Sequence, residues 1–210
     1  DVAASARVGR NVRFEGPVRI RENVTLHDDV VLGEGCDVGE FAIVGPGVRL
    51  GPGCRVQRSA SLHEDVELGA GCEVAERAIL LGPIRAGARN HFQQFAMIGG
   101  HSSHLNAERS GQITIGSDCV FEIGSVVLAP HGLQGRHGET RIGDNVFVHM
   151  RGEVSHDCVL EDGVGLAGEL TGYCHIMRGA KVMKGVTVHQ FTTVGTAAFV
   201  TMGTKVRYDV

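Results

Sequence analysis

Histidine is spread unevenly through this 210-residue chain: His27 and His63 precede residue 90, while His91, His101, His104, His131, His137, His149, His156, His175 and His189 follow it. Imidazole changes charge near neutral pH, so such a concentration suits either metal binding or proton transfer. Spacing argues against the metal. No Cys-x-x-Cys or mixed Cys/His zinc pattern is present, and His101 and His104 offer two nitrogens with no third ligand close by in sequence. No metal is expected, and His101 and His104 read as polar loop residues. Proton transfer needs the rings held in place, which turns attention to the elements that carry them.

From Val8 to Ile98 a core-type side chain recurs at every sixth residue, through Phe14, Ile20, Leu26, Leu32 and onward to Phe92. A second column of smaller residues follows four positions later, Val12, Val18, Val24, Val30, Cys36 and onward, interrupted only at Asn90. A strand cannot keep period six unless the chain turns once per hexad, so three hexads close a triangular coil and stacked coils bury a continuous core. The expected fold is all-β, a left-handed parallel β-helix of hexapeptide repeats forming one domain over residues 1–210. Roughly ten coils at about 4.8 Å each give a prism near 50 Å long. Gly is abundant at 31 residues, as bends between short strands would require. Trp is absent, which fits a narrow interior. Cys36, Cys54 and Cys72 alternate with Val and Ala at one repeat position and read as reduced core thiols.

The period fails in three places, and function in a solenoid belongs where it fails. Loops are expected near 99–113 and 130–140, and a two-residue deletion between Gly172 and Arg178. Net charge is −4 with no run of Lys or Arg, which argues against nucleic acid. No stretch reaches the length of a membrane span and no secretory signal precedes the repeat, so the reading is cytoplasmic.

Val154-Ser-His-Asp-Cys158, followed by Thr187-Val-His-Gln-Phe191, resembles the signature of the UDP-N-acetylglucosamine O-acyltransferases of lipid A biosynthesis. Asn90-His-Phe-Gln-Gln-Phe-Ala-Met-Ile-Gly99, Thr140-Arg-Ile-Gly-Asp-Asn145 and Arg207-Tyr-Asp-Val210 extend the similarity. The zinc hydratases of the same fold carry His-x4-His, a spacing absent here. The resemblance implies transfer of an acyl group from an acyl-carrier-protein thioester, on its phosphopantetheine arm, to a hydroxyl of a UDP-linked amino sugar, with no other cofactor. His156 would be the general base, taking the hydroxyl proton and returning it to the leaving thiolate. As a bend residue it is expected to face solvent. Asp157 would favour the imidazolium. His175 and His189, with Gln190, would line the donor or sugar pocket, Cys174 would stand where the family has the glycine that supplies a backbone N–H to the tetrahedral intermediate, and Phe199 and Met202 would end the acyl groove. The family assembles as homotrimers with sites between prisms, and continues past the position of Val210 into a helical domain. Arg178, Lys181 and Lys184 would dock the acidic carrier.

Departures bear on the substrate. Ser103 and His104 stand in the first loop where the family has a Gln-Asp-x-Lys cluster for the nucleotide sugar, and Glu153 replaces a histidine three residues before the base. Two other readings follow: a coenzyme A-dependent sugar acetyltransferase, consistent with the bulk of Phe199 and Met202, and a non-catalytic trimeric β-helix scaffold, consistent with Glu153.

Overall fold

A computed structural model describes residues 1–100, 111–131 and 138–210. Among the described residues thirty-one short strands, most of two residues, build three parallel sheets of eleven, ten and ten strands. The chain visits the sheets in strict rotation, so each strand pairs with the third strand on. Face I is the sheet of eleven, beginning at Arg7–Val8; face II begins at Arg13–Phe14 and face III at Arg19–Ile20. The solenoid is a left-handed parallel β-helix of about ten turns. Among the described residues no helix is long and apolar enough to cross a membrane.

The two sequence columns are the interior. Leu62, Leu80 and Ile98 stack in register down face I, and Phe92 lies on Phe121 with ring centroids 5.0 Å apart. Each side chain fully removed from water contributes about 1.5–3 kcal/mol, repeated coil after coil. The six cysteines are free and buried. Cys36, Cys54 and Cys72 donate to the carbonyls of Gly51, Gly69 and Gly87 at 3.1–3.3 Å, and burial pushes the Cys119 thiol up to about 11. Asn90, the polar interruption, is 1% exposed and fully used: its amide donates to Gly87 and Gly116 carbonyls and its oxygen accepts from the Cys119 N–H.

Glycine has a second use that composition did not reveal. Many bends place Asn, Asp or even Phe at positive φ, such as Asn23 at 59° and Phe41 at 60°. Gly33 and Gly51 instead sit where a Cβ would lie 2.6 and 2.7 Å from the backbone of the next coil. They permit coils to stack, not bends to turn.

Candidate active site

Both interruptions of the repeat fall at one bend. The first runs from Met97–Gly100 on face I to Gly111–Ile115 on face II, and the second from Val126–Leu128 to Gly138–Ile142 between the same faces. The five-residue strands that receive them pair with each other from Gly111↔Gly138 to Ile115↔Ile142, so the ends of both expected loops are strand. One coil further on, the same bend is Ser155-His156-Asp157-Cys158, lying against the base of the second excursion.

The described ends of that interruption, at His131 and Thr140, lie against the site. His156 is 2% exposed, against the expectation of a solvent-facing bend residue. Its Nδ1 is 2.9 Å from Asp157 Oδ2, and its Nε2 is 3.2 Å from Nε2 of His131. Asp157 is held from three sides. Its Oδ2 also accepts the His131 backbone N–H at 3.2 Å, and its own N–H donates to Thr140 Oγ1 at 3.0 Å. Thr140 Oγ1 in turn donates to the Leu128 carbonyl at 3.2 Å, across the foot of the excursion. Asp157 takes the left-handed conformation of the bend at φ 56°, which aspartate tolerates better than most residues.

These contacts set the tautomers. An ionised Asp157 only accepts, so His156 carries its hydrogen on Nδ1 and turns a lone pair outward at Nε2. His131 Nδ1 lies 3.5 Å from the Tyr173 hydroxyl, which also hydrogen-bonds the Asp157 carboxylate. Tyr173 meets His156 edge-on at 5.1 Å and stacks on the exposed ring of Phe191 at 4.8 Å. Burial, with the charge of Asp157 adding to it, holds the Tyr173 phenol above its ordinary value.

Register completes the geometry. Val154 pairs with Leu170 and Leu170 with Val188, so Gly172 lies beneath His156, and Gln190 beneath Gly172. Gly172 adopts φ 111°, and a Cβ there would come within 2.8 Å of His156 Cε1 and 2.9 Å of Nε2. Only a glycine lets the backbone come this close to the edge of the base.

No protein-family model matches the chain. The acyl-[acyl-carrier-protein]–UDP-N-acetylglucosamine O-acyltransferase of Rhizobium johnstonii is 33% identical over 123 residues, covering 55% of this chain and 43% of that protein. The chain is similar to the UDP-N-acetylglucosamine O-acyltransferases. It spans less than half the length of that relative. In fold it matches the UDP-N-acetylglucosamine acyltransferase from Bacteroides fragilis with a TM-score of 0.57 at 17% identity, covering all of this chain and 68% of that one. The Francisella novicida UDP-N-acetylglucosamine acyltransferase gives 0.54 at 23% identity over 84% of this chain and 60% of its own.

Relative to these acyltransferases, the sequence reading misplaced the deletion. The shortened coil lies at Ala167-Gly168, between strands Gly165–Leu166 and Glu169–Leu170, and not between Gly172 and Arg178. The repeat is regular again from Leu170 through Ile176 to Val182. Moving the deletion forward shifts the match by two residues. Gly172 and Tyr173 then take the positions that the resemblance gave to Cys174 and His175. Cys174 is a core thiol, 1% exposed, and His175 points from face II to Glu161, 2.8 Å away. Neither reaches His156. His189 keeps its place in the bend, where it borders an open pocket of about 450 Å3 with Arg207 and Tyr208.

The remaining expected residues are dispersed. Glu153 lies on face I opposite Glu169, its carboxyl held above the ordinary range by burial and then by that neighbouring charge. Phe199 and Met202 are 63% and 68% exposed on face III and the bend after it, across the prism from His156. Arg178 lies 3.6 Å from Asp162 and Lys181 donates to the Gly163 carbonyl, while Lys184 borders a notch of about 310 Å3 left by the shortened bend. Ser103 and His104, with His101 and His137, fall outside the described residues. Sequence reasoning missed His131, Thr140, Gly172 and Tyr173 as neighbours of His156. Placing the deletion from the Leu166–Leu170 spacing would have found the last two.

Proposed function

We propose that this chain is the catalytic β-helix of an acyltransferase that moves an acyl group from an acyl-carrier-protein thioester to a hydroxyl of a UDP-linked amino sugar. The observation that supports it is the buried Asp157–His156 pair, oriented with a lone pair at Nε2 and approached along that edge by the backbone of a glycine. In this reading the acceptor hydroxyl displaces His131 from Nε2, gives up its proton as it attacks the thioester carbonyl, and His156 passes that proton to the thiolate as it leaves. Asp157 stabilises the imidazolium in between. Gly172 supplies a backbone N–H to the oxyanion, and His189 and Gln190, further along the same bend, hold the sugar nucleotide.

Trimer formation is part of the proposal. Faces II and III carry charges paired between coils, such as Arg85 with Glu67 at 3.2 Å and Arg19 with Asp37 at 3.4 Å. Between Arg7 and Glu153, face I presents Thr25, Ile43, Ser61, Ile79, Met97 and Val126 instead. An uncharged stretch with exposed Ile43 and Ile79, ending at Glu153 beside the His156 bend, suits contact with another copy. Phe199 and Met202 of one chain reach the groove of another only in such an assembly.

The test is direct. The whole protein is incubated with UDP-N-acetylglucosamine and acyl carrier proteins loaded with graded chains, in parallel with acyl-coenzyme A. Acylated sugar formed from the carrier-bound donor, and lost in His156→Ala, is the expected result. Product from coenzyme A alone would establish the acetyltransferase reading, and no product from either donor would leave the scaffold.

A further inference from the structure

Between Phe147–Val148 and Glu153–Val154 the bend from face III to face I has four residues. One coil on, between Gly165–Leu166 and Glu169–Leu170, it has two, Ala167 and Gly168. What the missing pair would have done is visible in neighbouring coils. A side-chain oxygen at the first bend position accepts the N–H at the second position of the coil that follows: Glu122 Oε2 accepts from Met150 at 2.8 Å, and Gln57 Oε1 from Glu76 at 3.2 Å. The third position donates to the carbonyl of the second position one coil earlier, as Arg151 does to Ile123 and Gly203 to Lys184, both at 3.2 Å. After the shortened bend both partners are gone. Among the described residues the N–H groups of Lys184 and Gly185 make no hydrogen bond, and both residues line the notch of about 310 Å3.

We propose that this notch is a binding site for a sugar phosphate, its phosphate held at Lys184 and Gly185. The solenoid itself shows that an N–H of this bend takes an anionic oxygen, since Glu122 fills the position one coil earlier. Ala167 carries no such oxygen, so at Lys184 it comes from outside the chain. Successive turn N–H groups form anion-binding concavities, and a phosphate dianion accepts several charge-assisted hydrogen bonds at once. Arg151, Lys184 and Thr187 bring side-chain donors to the same lining, and none of these side chains has a hydrogen-bond or ion-pair partner among the described residues. The rest of the lining offers the reverse. The Glu169 carboxylate and the Met150 carbonyl only accept, which suits the hydroxyls of a sugar and not a second phosphate. The notch lies on the edge of face I opposite the His156 bend, apart from the site already described.

The test reads ligand binding and stands apart from the acyltransferase reading. The whole protein is titrated calorimetrically with glucose 6-phosphate, inorganic phosphate and glucose at constant ionic strength. One saturable site per chain is expected for glucose 6-phosphate, with weaker binding of inorganic phosphate and none of glucose. Lys184→Gln and Arg151→Gln should each weaken binding about 10-fold or more, the usual cost of one charge-assisted hydrogen bond, while Arg85→Gln on face II leaves it unchanged. Ala167→Glu is the sharper variant. It gives the shortened bend the kind of carboxylate that Glu122 supplies one coil earlier, and should abolish binding with the circular dichroism of the solenoid intact. Inorganic phosphate bound as tightly as the ester would overturn the sugar part of the assignment. Undiminished binding in Lys184→Gln, equal loss in Arg85→Gln, or no saturable binding by the parent protein would each overturn the site.

Discussion

Asp65 and Asp157 occupy the same position of the same bend, at φ 57° and 56°, one in the regular half of the solenoid and one in the interrupted half. Asp65 is an exposed carboxylate, its side chain 54% accessible, paired with Arg85 at 2.6 Å. Asp157 is 6% accessible and paired with His156. The backbone is the same; what differs is the coil above. Over Asp157 the second excursion sets His131 and Thr140, which exclude water and fix the carboxylate from three sides. An exposed ion pair of the Asp65 kind contributes under about 1 kcal/mol, whereas a charge in a dry setting acts on its neighbour far more strongly. The repeat supplies the position, and the excursion converts it into a site.

The widest separation between the halves should come from paired substitutions at that bend. His156→Ala is expected to lower acyl transfer by about 10²–10⁴-fold, the usual contribution of a positioned general base. It should also cost about 1–3 kcal/mol of stability, because it leaves the buried Asp157 carboxylate without its imidazole. Asp65→Ala should leave transfer unchanged and cost no more than about 1 kcal/mol, from the lost ion pair and the left-handed backbone at φ 57°. Rates from thioester consumption and melting curves on both variants check this, and comparable rate losses in the two would remove the distinction.

Core substitutions should erase the difference. Leu62 and Leu160 are both at most 1% exposed, one in each half, and each replaced by Ala should cost about 2–5 kcal/mol by chemical denaturation. The interior is one continuous stack, so the cost should follow local packing and not the half. Transfer per folded molecule should persist in Leu62→Ala.

How far the sequence reveals the molecule follows from which features are periodic. The columns from Val8 to Ile98 repeat often enough that strands, bends, thiol burial and the sites of both excursions could be read from the chain. The site is not periodic. His131 meets His156 across the excursion, a contact between residues 25 apart that no repeat encodes. The deletion was misplaced because Leu170, four residues after Leu166, also fits the second column of the repeat, so the break can slide to the next bend at the cost only of Gly172 in the first column. That slide moved two expected residues, Cys174 and His175, off the base. The burial of His156 was illegible for the same reason, since it depends on what lies one coil above.

Gly172 sharpens the contrast among glycines. Gly53 sits in a regular bend at φ 70° with open space where a Cβ would stand, so Gly53→Ala should cost about 1 kcal/mol from backbone strain alone. Gly172→Ala meets strain at φ 111° together with the His156 ring at 2.8 Å. About 1–3 kcal/mol is expected, along with a fall in transfer as the imidazole is displaced. Retained turnover in Gly172→Ala would show that the base tolerates a side chain on that edge, and the glycine would be structural only.

The smallest effect concerns outward charges at equivalent strand positions. In the regular half Glu67 stands opposite Arg85, with which it pairs; in the interrupted half Glu153 stands opposite Glu169. Burial and the charge of Glu169 hold the Glu153 carboxyl above its ordinary value, so the folded chain binds that proton more tightly than the unfolded chain. Stability from this group is therefore complete below the usual carboxylate range and is lost as pH rises through the raised value. Glu153→Gln removes the loss. Because the side chain is only partly buried, solvent screening keeps the gain below about 1 kcal/mol. The variant should melt slightly higher than the parent at pH 7 and equally at pH 4. A lower melting temperature at pH 7 would mean that the ionised Glu153 has a favourable partner, and the two halves would then treat their outward charges alike.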